Sequence, residues 1–223
     1  MKISEIFYSI QGEGSLVGVP SIFVRTSGCN LRCQWCDTPY ASWHPEGPDL
    51  TLDQILDAVS KFQASHVVVT GGEPMIAPQM VELTSLLRQK NLHITIETAG
   101  SVYAPVACDL MSISPKLANS TPAGPWAAQH ERLRLQPEVL RRLTSSYRHQ
   151  LKFVVSSPED LAEIQSLQRE LGAPSSNIIL MPEGTSRDVV RERAAWLAEI
   201  CKTTGYRLSP RLHIDIWGDK RGV

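Results

Sequence analysis

Cys29-Asn30-Leu31-Arg32-Cys33-Gln34-Trp35-Cys36-Asp37-Thr38 sets three thiols in the spacing C-x3-C-x2-C. A loop of this kind can wrap one face of a metal centre, and thiolates are soft ligands that suit Fe–S clusters, zinc and Cu(I). A closed 4Fe–4S cluster takes four protein ligands. Three grouped cysteines leave one iron open, and an open coordination position separates a chemical metal centre from a structural one. The competing reading is a Cys3His zinc site built from Cys29, Cys33, Cys36 and His44. Zinc modules usually add a second ligand pair well downstream, and none follows here.

The stretch before the loop, residues 21–27 (Ser-Ile-Phe-Val-Arg-Thr-Ser), reads as a strand, preceded by another at 3–10 and a Gln11-Gly12-Glu13-Gly14 turn. Residues 39–50 read as irregular. A helix over 52–62 is capped by Thr51, with Leu52, Ile55, Leu56 and Val59 at helical spacing. Residues 66–70 form a short β-branched strand that ends in Gly71-Gly72-Glu73-Pro74. Helix 78–90, strand 92–97 and strand 109–113 come next. Residues 117–137 are loop-like. Helix 138–147, strand 151–155, helix 159–171, strand 177–181, helix 186–203 and a last strand from Arg211 to Trp217 complete the chain. Alternating strands and helices imply parallel βαβ units. A full eight-fold barrel needs about 250 residues. The expectation is therefore an incomplete, TIM-like α/β barrel of about six parallel strands with reduced helices, in a single domain over 1–223.

In such a barrel the chemistry gathers at the C-terminal strand ends. The cysteine loop, Gly72-Glu73, Glu97-Thr98, Ser114-Pro115-Lys116 and Met181-Pro182-Glu183-Gly184 all fall there, which favours one shared site. Arg25, inside its strand on the face of Phe23, is either a snorkelling edge residue or an anion clamp in the lumen. His213, on the last strand, reads by residue type as a structural histidine. Cys108 and Cys201 read as small core residues, and Trp43, Trp126 and Trp196 as packing.

The net charge of −1 leaves no electrostatic footprint for nucleic acid. Apolar runs are too short to span a bilayer, and the N-terminal stretch lacks the pattern of a secretory signal. Five cysteines, three of them clustered, suit a reducing compartment rather than a disulfide framework. A cytoplasmic location is expected.

Four stretches together carry a resemblance: Ile10-Gln11-Gly12-Glu13-Gly14, Cys36-Asp37-Thr38, Thr70-Gly71-Gly72-Glu73-Pro74 and Ser114-Pro115-Lys116. With the cysteine spacing, they make the chain similar to the 7-carboxy-7-deazaguanine synthases, a family of the radical S-adenosylmethionine (SAM) superfamily that acts in queuosine biosynthesis. The resemblance implies a ring contraction of 6-carboxy-5,6,7,8-tetrahydropterin to 7-carboxy-7-deazaguanine with loss of ammonia. It implies a 4Fe–4S cluster on Cys29, Cys33 and Cys36, with SAM on the open iron and regenerated after each turnover, and a magnesium ion. It also implies a homodimer and a flavodoxin- or ferredoxin-type reductant.

By the same resemblance Trp35, Cys36, Asp37, Gly72, Ser114, Pro115, Lys116, Met181, Pro182, Glu183 and Gly184 lie along SAM, and chemically Glu73 or the Gly72 carbonyl can accept from the SAM ammonium. Ile10, Gln11, Gly12, Arg25, Thr70, His213 and Val223 face the substrate by the resemblance, and Glu13 can chemically accept from its amino group. For magnesium, chemistry alone selects the Asp37 carboxylate, whereas the family pattern selects the Thr38 hydroxyl. The alternatives are a glycyl-radical-enzyme activating protein, which would need a protein partner, and a non-catalytic Fe–S protein.

Overall fold

The computed structural model describes every residue from Met1 to Val223. Eight strands form one sheet in the order β1 to β8: β1 (Ile3–Ile10), β2 (Pro20–Thr26), β3 (His66–Gly71), β4 (His93–Thr98), β5 (Leu110–Ile113), β6 (His149–Val155), β7 (Ile178–Pro182) and β8 (Arg207–Leu208). β1 runs antiparallel to β2, and every later neighbour is parallel. The parallel set is thus β2 to β8, one strand more than the six expected, because the two-residue β8 was too short to be read. β8 and β1 do not pair, so the barrel stays open. The Gln11–Leu16 turn spans part of the opening through polar contacts. Gly14 N donates to Ser209 Oγ at 2.8 Å, Ser15 N to Gln150 Oε1 at 2.9 Å, and Leu212 N to Gly12 O at 2.9 Å.

Helices α1 (Pro39–Ser42), α2 (Leu52–Ser60), α3 (Met80–Gln89), α4 (Ala127–Arg134), α5 (Pro137–Ser146), α6 (Asp160–Leu171), α7 (Arg187–Thr204) and α8 (Leu212–Trp217) complete the chain. α2 starts as Thr51 dictates: its hydroxyl accepts from Gln54 N, and the Gln54 side chain accepts from Thr51 N, a reciprocal capping box.

Strand alternation divides the sheet into two faces. Val67, Val69, Ile94, Ile96, Leu151, Phe153 and Val155 point out and join Leu83, Leu87, Leu140 and Leu143 in the main core. Their alternate neighbours Val68, Thr70, Glu97, Lys152 and Val154 face the lumen. The outer face stabilises the fold through apolar burial, worth about 1.5–3 kcal/mol for each large side chain. That leaves the inner face free to carry charge.

Three expectations need correction. The stretch 39–50 is not all irregular, since the one-turn helix α1 opens it, with Pro39 at its first position. Residues 212–217 are the helix α8, not a strand. The alternating Leu212, Ile214 and Ile216 mimic a half-buried strand, yet only Ile214 is buried and Ile216 is exposed. Polar ties dock the segment on α7 instead: Arg187 donates to the carbonyls of Ile214 and Ile216, and Arg191 pairs with Asp215. Residues 117–137 are not all loop, since α4 lies within them. His130 is the one buried residue of that helix, so no apolar face marks it in sequence.

No helix is long and apolar enough to cross a membrane.

Candidate active site

The C-terminal ends of the strands and the turn after β1 enclose a cavity of about 530 Å³, a size suited to small-molecule ligands. Cys29, Cys33 and Cys36 all line it. Their loop is shaped locally. Leu31 N donates to the Cys29 sulfur at 3.3 Å, and the Arg32 guanidinium donates to the carbonyls of Cys29 and Leu31 at 2.8 and 2.7 Å. The Trp43 indole donates to Cys33 O at 3.0 Å, and Arg32 lies against the rings of both Trp43 and Trp126. These two tryptophans support the loop and are not core packing, and Trp126 is 40% exposed.

Gly72, just past β3, packs under this loop. A Cβ there would collide with the carbonyl oxygens of Gly28 and Ala41 and with Cys29 Cβ. A side chain at position 72 would therefore displace the first cysteine.

Three thiolates lining one cavity are a soft donor set of the kind that suits an Fe–S cluster. No group of three His, Cys, Asp or Glu side chains that could hold a single metal ion is found. Burial pushes the thiol of Cys29 up to about 12 and that of Cys33 up to about 11. Loading a metal must therefore displace their protons.

A second group lining the cavity is ionic. Lys152 on β6 is buried and pairs with Glu13 of the turn, and it reaches Glu97 on β4 at 3.1 Å. Gln11 Nε2 donates to the other Glu97 oxygen at 3.1 Å. Arg211, also buried, joins Glu13 at 3.2 Å, pairs with Asp37 of the cysteine loop and donates to Gly184 O. Burial would raise the Glu13 carboxyl, but Lys152 and Arg211 overcome it and hold the group well below the ordinary carboxylate range. Burial likewise opposes the charge on Lys152, and Glu13 and Glu97 more than restore it, raising its pKa. His213, on α8, stands 4.0 Å from Glu13 and packs so closely on Gly12 that no Cβ fits there. Burial keeps its imidazole below the usual value despite Glu13.

On β1 and β2, Phe7 and Phe23 stack with ring centroids 5.0 Å apart, and Arg25 lies beside them on the cavity wall. Only the Arg25 Nε is engaged, at 2.6 Å from Glu5 Oε1. Arg25 therefore sits in the lumen.

Of the residues singled out from sequence, Ile10, Gln11, Gly12, Glu13, Arg25, Trp35, Cys36, Asp37, Thr38, Thr70, Gly72, Ser114, Lys116, Met181, His213 and Val223 line this cavity. Glu73, Pro115, Pro182, Glu183 and Gly184 do not. Glu73 is fully buried and accepts from Met75 N, Thr98 Oγ1 and Ala99 N at 3.0, 2.8 and 2.8 Å. It clamps the ends of β3 and β4, with both oxygens engaged and its side chain buried away from the cavity. Glu183 pairs with Arg193 of α7. Glu97, placed from sequence at a strand end facing the shared site, lines the cavity, whereas Lys152 and Arg211 were not singled out as site residues. For Lys152 a signal existed, because a lysine in the middle of an apolar strand is almost never buried unless paired.

Comparison with known proteins agrees with this geometry. Residues 23–119 match the model of the radical SAM superfamily. A 7-carboxy-7-deazaguanine synthase of Halobacterium salinarum is 42% identical over 98% of this chain and 91% of its own length. The chain belongs to the 7-carboxy-7-deazaguanine synthase family. Another member, from Rhodopirellula baltica, is 45% identical over 100% of this chain and 89% of its own. The crystal structure of QueE from Escherichia coli superposes with a TM-score of 0.71 at 26% identity, covering 93% of this chain and 92% of that one. The chain has a radical SAM α/β fold with a sheet that is not fully closed.

Proposed function

We propose that this chain is a radical SAM enzyme that converts 6-carboxy-5,6,7,8-tetrahydropterin to 7-carboxy-7-deazaguanine with release of ammonia, in queuosine biosynthesis. Family membership supports the reaction class. The single observation that carries the reading is one cavity lined both by the three thiols and by the Gln11, Glu13 and Arg25 set.

Cys29, Cys33 and Cys36 would hold a 4Fe–4S cluster, with SAM beside it along Trp35, Asp37, Gly72, Ser114, Lys116 and Met181. When bound, the cluster and SAM supply the hydrogen-abstracting chemistry, which the protein orients and shields. The free Arg25 nitrogens suit the substrate carboxylate, in the planar bidentate manner of guanidinium. Gln11 and Glu13 can bond the polar pterin edge, where amide and amino groups need acceptors. Lys152 helps to hold Glu13 ionised for that purpose and also pairs with Glu97. Phe7 and Phe23 give the cavity an apolar wall that limits water. Lys116, which donates to Ser114 Oγ at 2.8 Å and lies 5.5 Å from the Trp35 ring centre, can meet a ribose or carboxylate oxygen.

Arg211 engages Asp37 Oδ2, and both Asp37 and Thr38 line the cavity. The family pattern assigns the magnesium to the Thr38 hydroxyl. Mg2+ keeps several waters and substrate oxygens and needs few protein groups. The proposal includes one domain spanning 1–223, a homodimer, and a flavodoxin- or ferredoxin-type reductant.

The test is anaerobic reconstitution, reduction with dithionite, and addition of SAM and the carboxypterin. Mass spectrometry should find the deazapurine and ammonia, with SAM not consumed. Unchanged pterin alongside steady release of 5′-deoxyadenosine would point to another substrate, such as the glycyl radical site of a protein partner.

A further inference from the structure

Residues 117–134 contribute nothing to the lining of the cavity, yet they hold the cysteine loop from its outer side. His130 of α4 is only 1% exposed. Its Nδ1 lies 3.1 Å from Arg32 N, and its Nε2 lies 2.9 Å from Ser120 Oγ. Ser120 Oγ gives its proton to Leu117 O at 2.6 Å, so it must accept from the ring. The tautomer is therefore assigned by its neighbours: Nε2 carries the proton, and the Nδ1 lone pair receives the backbone N–H of Arg32.

Arg32 lies between Cys29 and Cys33. The interval between Cys33 and Cys36 is held from the same side. Ser120 O accepts from Gln34 N at 2.9 Å, and Asn119 O accepts from Gln34 Nε2 at 2.6 Å and from Trp35 Nε1 at 3.0 Å. Both spacers of the motif thus end on one external brace. Arg134 anchors that brace, donating to Lys116 O at 3.0 Å and to Glu163 at 2.6 Å. Burial favours the neutral ring, and Arg134 and Lys116 reinforce it against the pull of Glu131.

We propose that His130 is a positioning residue for the cysteine loop: its Nδ1 lone pair fixes the Arg32 amide, and with it the separation of Cys29 and Cys33, before any cluster is loaded. The inference rests on the reading that these cysteines hold a cluster. Without the acceptor, a part-buried N–H would lack a partner and the loop would open to regain one from water.

The test compares H130N, whose side-chain oxygen can take the place of Nδ1, with H130L, which fills the space and accepts nothing. Amide deuterium exchange of the metal-free full chain reads the loop directly. Iron release to a chelator reads it in reconstituted protein. H130L should exchange the Arg32–Cys33 amides about tenfold faster, with β3 and β4 still protected, and should lose iron faster, while H130N stays close to the parent. Loop protection in H130L equal to the parent's would overturn the proposal, as would H130N loosened as much as H130L. If H130L loses protection across the whole sheet, H130A supplies the same comparison. Exchange in the metal-free chain does not depend on turnover. A chain that takes up no cluster would therefore overturn the site assignment and leave the brace to be judged by exchange.

Discussion

The ammonium of Lys152 and the carboxylate of Glu13, 139 residues apart in sequence, form a buried ion pair on the cavity wall. Such a pair is costly to break from one side, because the Glu13 oxygen facing Lys152 loses its partner without regaining water, although Arg211 still holds the other. K152M should lose about 3–5 kcal/mol of stability, and its turnover of carboxypterin should fall at least tenfold. Urea unfolding and steady-state assays check both. A variant with parental stability would show that water already compensates Glu13.

The same pair sets an acid dependence. The folded pKa of Glu13 lies well below its ordinary value of 4.5. Its contribution to stability is therefore complete above about pH 5 and is lost as pH falls towards the folded value. Between pH 5 and pH 3 the parent should lose more stability than E13Q, which has no proton to take up at that position. Parallel losses in the two proteins would mean that the unfolded state holds Glu13 just as strongly.

Glu73 should behave as a structural group. Its three partners all donate, so E73Q would turn amide hydrogens towards at least one of them. The expected cost is about 2–3 kcal/mol, with the KM for SAM unchanged in the folded enzyme. A selective rise in that KM at constant melting temperature would return Glu73 to the list of direct cofactor contacts.

Arg25 should separate binding from chemistry. Its Nε is held by Glu5 while its terminal nitrogens are free. R25K cannot keep Glu5 and also clasp a carboxylate bidentately. KM for the carboxypterin should rise about tenfold or more, with kcat changed less. An unchanged KM would remove Arg25 from substrate recognition.

Legibility in the sequence followed the physics of each segment. The outer faces of β3, β4 and β6 were plain because Val67, Val69, Ile94, Ile96, Leu151 and Phe153 all serve one apolar core. The cysteine loop was legible because its chemistry is local, spelled out by spacing. Lys152 and Arg211 were not, because their roles arise from partners far away in sequence that only the curled sheet brings together. α8 was misread because Leu212, Ile214 and Ile216 alternate like a strand while Arg187 and Arg191 decide the outcome. α4 was hidden because polar contacts through His130 and Arg134 hold it in place of an apolar stripe.

The most direct measurement is iron analysis with electron paramagnetic resonance of oxygen-free, reduced protein, recorded with and without SAM. The account predicts about four irons per chain, lost in C29A, C33A or C36A but retained in C108A, and a signal that shifts when SAM is added. A lone zinc ion, or a cluster whose spectrum ignores SAM, would contradict it.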